Sequence, residues 1–284
     1  MFLRFKFFTL FAFLTLCGGA ASVSAQQTTT AEKPAQAVEK PAKKEKQGGK
    51  QKSSDAAAKN LTAEQIAESA IVIYGGLGGR ATLNQIRKTS LERGLISVVN
   101  ADGKTEQAKY ERWVLRADSL DKERIRFEQE FPNARYALVY NNDKIFGLYN
   151  DSVFTPREDA SKTFENQIWH GLEALLRYKE NGATVALAGR DKLMGVDYFM
   201  LDVTDKLSRK TRYYISSKTY RVMMLEYSEA DVKYRRRFYD YNYAQGTLFP
   251  FRTILWANDK QIEETEVQTI TFGQKVEEDI FKES

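Results

Sequence analysis

Between residues 195 and 272 runs rich in apolar, strand-forming residues follow one another, separated only by short polar turns. The pattern predicts six consecutive antiparallel strands with no helix between them. In the second of these, Tyr213 and Ile215 alternate with Arg212 and Tyr214. In the third, Met223, Leu225 and Tyr227 alternate with Val222, Met224 and Glu226. Apolar groups therefore stand on both sides of the pleat, and such a sheet needs cover on both faces or a bound apolar guest on one.

Upstream, Thr62-Ala63-Glu64-Gln65 has the form of a capping box, with Leu61 and Ile66 placed as a hydrophobic staple. Ile66, Ala70, Ile73 and Tyr74 then recur at helical spacing until Gly75-Gly76 ends the helix, and a second short helix is predicted over 80–86. Strands are expected at 91–99, 107–116, 122–131, 135–140 and 144–149. The last two form a hairpin around Asn141-Asn142-Asp143. In 122–131, Ile125, Phe127 and Phe131 oppose Arg124, Arg126, Glu128 and Glu130, which makes one face dry and one wet.

The helical period returns over 163–181, where Phe164, Ile168, Leu172, Leu175 and Leu176 make an apolar stripe and Gly182 supplies a C-terminal cap. This helix is expected to lie on the sheet and shield it. His170, the only histidine, sits beside the stripe and reads as a partly exposed helix residue. With one cysteine in the chain it has no companions for a metal site.

Composition divides the chain into three. Residues 1–25 carry Arg4 and Lys6, an apolar run and a small-residue end at Val23-Ser24-Ala25, the form of a secretory signal peptide cleaved after Ala25. Cys17 lies in a partial lipobox, with Leu16 where a small residue is wanted, so lipidation there is not expected. Residues 26–60 are rich in Lys, Ala and Gln with almost nothing to bury, and predict a disordered linker. The net charge of +5 belongs to these two segments; residues 61–284 carry −1. Cleavage after Ala25 would leave an exported chain without a thiol, and residues 61–284, 224 in all, suffice for one domain. Arginines 235–237 fall on two faces of one strand in a near-neutral domain, so nucleic-acid binding is not expected; pairing with Glu226 or Asp240 is.

The order of elements, with Tyr74-Gly75-Gly76-Leu77-Gly78-Gly79, Tyr198-Phe199-Met200-Leu201-Asp202-Val203, Tyr213-Tyr214-Ile215-Ser216, Asp240-Tyr241, Gly246-Thr247-Leu248-Phe249-Pro250-Phe251 and Asp279-Ile280-Phe281, resembles the LolA/LolB/LppX-like family of exported lipoprotein-sorting and lipid-binding proteins. The chain departs from the family at Ser216, where Asp is frequent, and at Tyr220, where Gly is usual. The resemblance implies an α+β fold: a strongly curved antiparallel half-barrel, here of about eleven strands, with helices covering a concave apolar face. It also implies a periplasmic carrier that moves lipoprotein acyl chains or other lipids without chemistry, between membrane-protein donors and acceptors, with no cofactor.

The residues themselves give a candidate lining of Trp113, Phe127, Phe199, Leu201, Tyr213, Met223 and Leu225 on strands, with Ile168 and Leu172 on the covering helix. A monomer is expected. The alternatives are an envelope scaffold or partner-binding module and, behind it, an envelope hydrolase. The carboxylate pairs Glu128/Glu130 and Glu263/Glu264 do not converge on one cleft in the strand pattern, as acid–base work requires.

Overall fold

Thr62 opens the first helix, α1 (Ala63–Gly75). Its hydroxyl accepts the Gln65 amide at 3.2 Å while Gln65 Oε1 accepts the Thr62 amide at 2.9 Å, the reciprocal cap that the sequence predicts. The structure is a computed structural model that describes residues 61–100, 102–150 and 152–283. The expected signal peptide, its cleavage after Ala25, Cys17 and the basic linker lie outside the described residues. Ile66, Ala67, Ala70, Ile71 and Tyr74 bury one face of α1. A 3-10 turn at Gly76–Gly78 then leads into α2 (Gly79–Ile86).

Six strands follow: β1 (Thr89–Val99), β2 (Thr105–Leu115), β3 (Arg124–Phe131), β4 (Ala134–Asn141), β5 (Lys144–Tyr149) and β6 (Ser152–Phe154). The β4–β5 hairpin turns on Asn142 and Asp143, both at positive φ (50° and 59°), the geometry of the two-residue turns that match strand twist. After helices α3 (Glu158–Trp169) and α4 (Leu172–Leu176) come β7 (Thr184–Leu193), β8 (Val196–Thr204), β9 (Lys210–Ser216), β10 (Val222–Glu229), β11 (Val232–Ala244), β12 (Thr247–Ala257) and β13 (Lys260–Phe272). The predicted six-strand meander is β8 to β13. Thirteen strands replace the expected eleven because two edge strands carry weak signals: β6 is three residues long, and β7 is largely exposed and so lacks an apolar face.

All pairings are antiparallel, in the order β6-β5-β4-β3-β2-β1-β13-β12-β11-β10-β9-β8-β7. The sheet is open, with β6 and β7 at its edges. Its curvature follows from what α3 touches. Phe164 stacks on Phe127 of β3, with ring centroids 6.2 Å apart, while His170 Nδ1 lies 2.6 Å from Thr211 Oγ1 of β9. Those strands are seven spacings apart, about 34 Å in a flat sheet. Residues 164 and 170 are only about 9 Å apart along a helix. The sheet must curl around the helices to bring both within reach.

One helix over 163–181 was expected, and two are found. The break falls at His170-Gly171, where Gly171 is extended (ψ 177°) and a Cβ would sit 2.6 Å from the Gln167 carbonyl oxygen. The freed Gly171 carbonyl accepts the Tyr213 hydroxyl at 2.7 Å. His170 is buried, 7% exposed, instead of partly exposed: its ring lies parallel to Tyr227 at 4.0 Å.

The β9–β10 turn explains both departures from the family pattern. Tyr220 has φ 54°, a left-handed conformation in which glycine carries no Cβ penalty. Ser216 Oγ accepts the Thr219 amide at 3.3 Å, the turn-closing role that an Asp carboxylate also fills.

Three apolar clusters hold the fold. In the first, α1, α2 and α4 pack on β8 to β12, through residues such as Tyr74, Leu175, Phe199, Tyr213 and Leu248. In the second, Phe164 and Ile168 of α3 pack on Ile96, Tyr110, Ile125, Phe127 and Leu138 of β1 to β4. The third lies on the other face, where Val139, Phe146 and Trp113 are covered by the C-terminal 3-10 turn Glu278–Phe281, with Phe281 wholly buried.

Candidate functional site

Where α3 and α4 cross the concave face, they leave a cavity of about 180 Å³. Strand alternation aims Ile96 (β1), Val114 (β2), Ile125 and Phe127 (β3), and Phe238 (β11) into it, and Ile168 and Leu172 close it from the helices. A groove of about 370 Å³ runs along α3, lined by Val98, Phe131, Tyr136, Leu138 and Phe164. It shares Ile96, Phe127, Gln167 and Glu263 with the cavity. A third space, about 600 Å³ and more polar, opens between α3, the β4–β5 hairpin and the β8–β9 turn, and meets the cavity at Leu120. A closed apolar cavity of about 150 Å³ accommodates one benzene. The cavity therefore takes a ring or a few methylenes as it stands, and a longer chain must use the groove or displace the helices.

The concave face is not uniformly apolar, as the half-barrel reading expects. Arg87, Arg112, Arg116 and Arg236 line the cavity, with Glu92, Glu123, Glu173 and Glu263. Most are tied. Glu173 of α4 receives Arg87 at 2.6 Å and Arg116 at 2.5 Å, and Arg87 also donates to the Leu248 carbonyl at 2.7 Å. Burial works to raise the Glu173 carboxyl, but Arg116, Arg87 and Arg177 outweigh it and hold it at about 2. Glu123 pairs with Arg177; there burial prevails over the pull of Arg177 and Arg116, and pushes the carboxyl up to about 7. Glu263 receives Arg236 at 3.4 Å and Gln167 at 3.3 Å, which ties α3 to the sheet. Glu92 accepts the Tyr110 hydroxyl at 2.6 Å.

Arg112 differs from these. Its side chain is half-buried and, among the described residues, has no carboxylate or hydrogen-bond partner; its Nε is buried and unsatisfied, as are those of Arg87 and Arg116, and its guanidinium stands 5.8 Å over the Phe127 ring. Glu92 is its cross-strand neighbour but is engaged by Tyr110 and forms no ion pair with it.

The nine residues expected to line the cavity separate into groups. Phe127, Ile168 and Leu172 meet at it. Phe199, Leu201, Tyr213 and Leu225 face the same side of the sheet but are fully buried in the first cluster, where α1 fills the concavity. Trp113 lies on the opposite face, under the C-terminal turn. Met223 is displaced by a bulge in β10: Val222 pairs with Ile215 and Met224 with Tyr214, so Val222 and Leu225 share the inner face and Met223 is half-buried.

Ile96, Val114, Ile125, Phe238 and the arginines were not anticipated. For β2 a usable signal existed. Phe127 pairs with Arg112 and Arg126 with Trp113, and directly opposed residues share a face, so the dry side of β3 selects Arg112 and Val114 as inward. The expected Arg235–Glu226 pair forms at 2.8 Å, whereas Arg236 goes to Glu263 and Arg237 lies over Trp256. Glu128 is bound by Arg126 and Arg135, and Glu264 by Arg252. Among the described residues no three His, Cys, Asp or Glu side chains gather as a metal site, and no helix is long and apolar enough to cross a membrane.

No known family and no curated protein matches the sequence. Solved structures do. A LolA superfamily protein from Nitrosomonas europaea superposes with a TM-score of 0.57 at 12% identity, covering 78% of this chain and 98% of that one. A DUF1329 family protein from Desulfovibrio piger gives 0.54 at 12% identity, with the same coverage. The fold is LolA-like, as the sequence resemblance implies.

Proposed function

We propose that residues 61–284 form a non-enzymatic lipid carrier, exported to the periplasm, which takes the acyl chain of a lipid or lipoprotein under α3 and α4. The observation that carries this reading is the set of apolar side chains in the cavity and groove, with Ile96 and Phe127 common to both, beneath helices that touch the sheet at both ends. The LolA-like fold supports it. Each methylene removed from water contributes about 0.8 kcal/mol, so ten would supply roughly 8 kcal/mol before ordering costs are subtracted, enough for binding without polar recognition. Phe127, Ile168 and Leu172 are the proposed lining, and membrane proteins the donors and acceptors.

Native mass spectrometry of protein purified from envelope extracts should find co-purifying lipid, and delipidated protein should take up a fluorescent fatty acid. Absence of both would end the reading.

A further inference from the structure

The charged floor of the cavity goes beyond a purely greasy site. A half-buried guanidinium whose Nε is shut off from water and whose terminal nitrogens hold no anion has given up part of its hydration, and a hydrogen-bonded anion is what returns it. The other cavity arginines have that return: Arg87 and Arg116 share Glu173, and Arg236 holds Glu263. Arg112 does not. Glu92, the nearest acid by strand register, is turned to Tyr110, and Phe127 offers Arg112 only the face of its ring. That same ring lines both the cavity and the groove, so the unpaired cation, itself a lining residue of the cavity, lies beside the apolar side chain that the two spaces share.

We infer that Arg112 is the receptor for an anionic head group, so that the cargo is a single-chain amphiphile with a carboxylate or phosphate head seated inward and its tail running past Phe127 along α3. This rests on the carrier reading and names the cargo class within it. The guanidinium fork offers two parallel N–H donors to two anion oxygens, an arrangement a neutral ester or alcohol cannot match. Seated this way, the head meets the charge that Arg112 lacks, and the tail meets the apolar rings of the groove.

The test compares palmitate, a lysophosphatidic acid and methyl palmitate for displacement of a fluorescent probe from delipidated protein at mildly alkaline pH, with acetate and inorganic phosphate as head-only controls. Both anionic amphiphiles should bind about tenfold or more tighter than the methyl ester. The Arg112→Gln variant should lose that preference and bind acid and ester alike, while Arg112→Lys keeps part of it. Circular dichroism and the ester affinity report whether each variant is folded.

Equal affinity of the wild type for acid and ester overturns the inference and leaves the carrier reading standing. So does a preference that survives in Arg112→Gln, or competition by acetate or phosphate as strong as by the amphiphiles. Failure of all three lipids to bind overturns the carrier reading itself.

Discussion

His170 shows how one side chain acquires a pH dependence from its surroundings. It caps α3, stacks on Tyr227 and holds Thr211 through Nδ1. Burial first, then the positive charge of Arg209, depress its pKa to about 4; Asp205 opposes them, while Lys162 and Arg236 add to them. The unfolded chain, with an ordinary value near 6.5, binds a proton between these pH values that the native state refuses. Stability from this group is therefore complete above about pH 6.5 and is lost as pH falls toward about 4, by up to roughly 3 kcal/mol. Urea titrations of wild type and His170→Phe across that interval should diverge, the wild type falling more steeply; parallel curves would refute the assignment. Little of this was legible in the sequence. Periodicity put His170 beside an apolar stripe, but its burial depends on a helix break that the close approach of Gly171, which has no Cβ, to the Gln167 carbonyl and the Tyr213 hydrogen bond explain.

At the scale of elements, two attachments carry most of the expected sensitivity. The bulge in β10 is closed by tyrosines: the Val222 amide donates to Tyr74 Oη at 3.2 Å, Tyr74 and Tyr241 share a hydrogen bond of 2.8 Å, and Tyr241 donates to the Val222 carbonyl. This ties the end of α1 to the turn between β9 and β10. Tyr74→Phe leaves a buried amide unsatisfied and should cost about 1–3 kcal/mol in chemical denaturation; a change indistinguishable from zero would mean water replaces the hydroxyl. The second attachment is the C-terminal turn on the outer face. Arg126 donates to the Ile280 carbonyl at 3.1 Å and Asn141 to the Phe281 carbonyl at 3.0 Å. Phe281 fills the space between Val139, Phe146 and Trp113, and Phe281→Ala should cost about 3–5 kcal/mol, read from the denaturation midpoint. The helices, the β4–β5 turn and the six-strand run were readable because their signals are local: a cap, a turn dipeptide, strand-forming runs between polar turns. The direction in which β2 faces was not, because Trp113 is apolar enough for an interior and its cover arrives from residues more than 160 positions away.

For the whole molecule, the question is how a chain longer than the cavity gets in. The α3–α4 segment is held at several points, by Gln167 on Glu263, Asn166 on Glu229 and Glu173 on Arg87 and Arg116. If uptake needs these helices to withdraw, a short crosslinker joining Gln167→Cys to Glu263→Cys should abolish fatty-acid uptake while leaving the thermal transition intact or raised. Uptake that persists in the crosslinked protein would show that the groove alone suffices. By itself the sequence determined the inventory: which stretches are helix and strand, where they turn, and that a long antiparallel sheet has too much apolar surface to stand uncovered. Those properties depend on neighbours within a turn or two of chain. Only the tertiary structure decided what covers each face, because closing β1 against β13 and curling the sheet around α3 bring together residues that no local pattern relates. That closure is why α1 fills one half of the concavity, why a hollow remains in the other, and why an unpaired arginine stands at its floor.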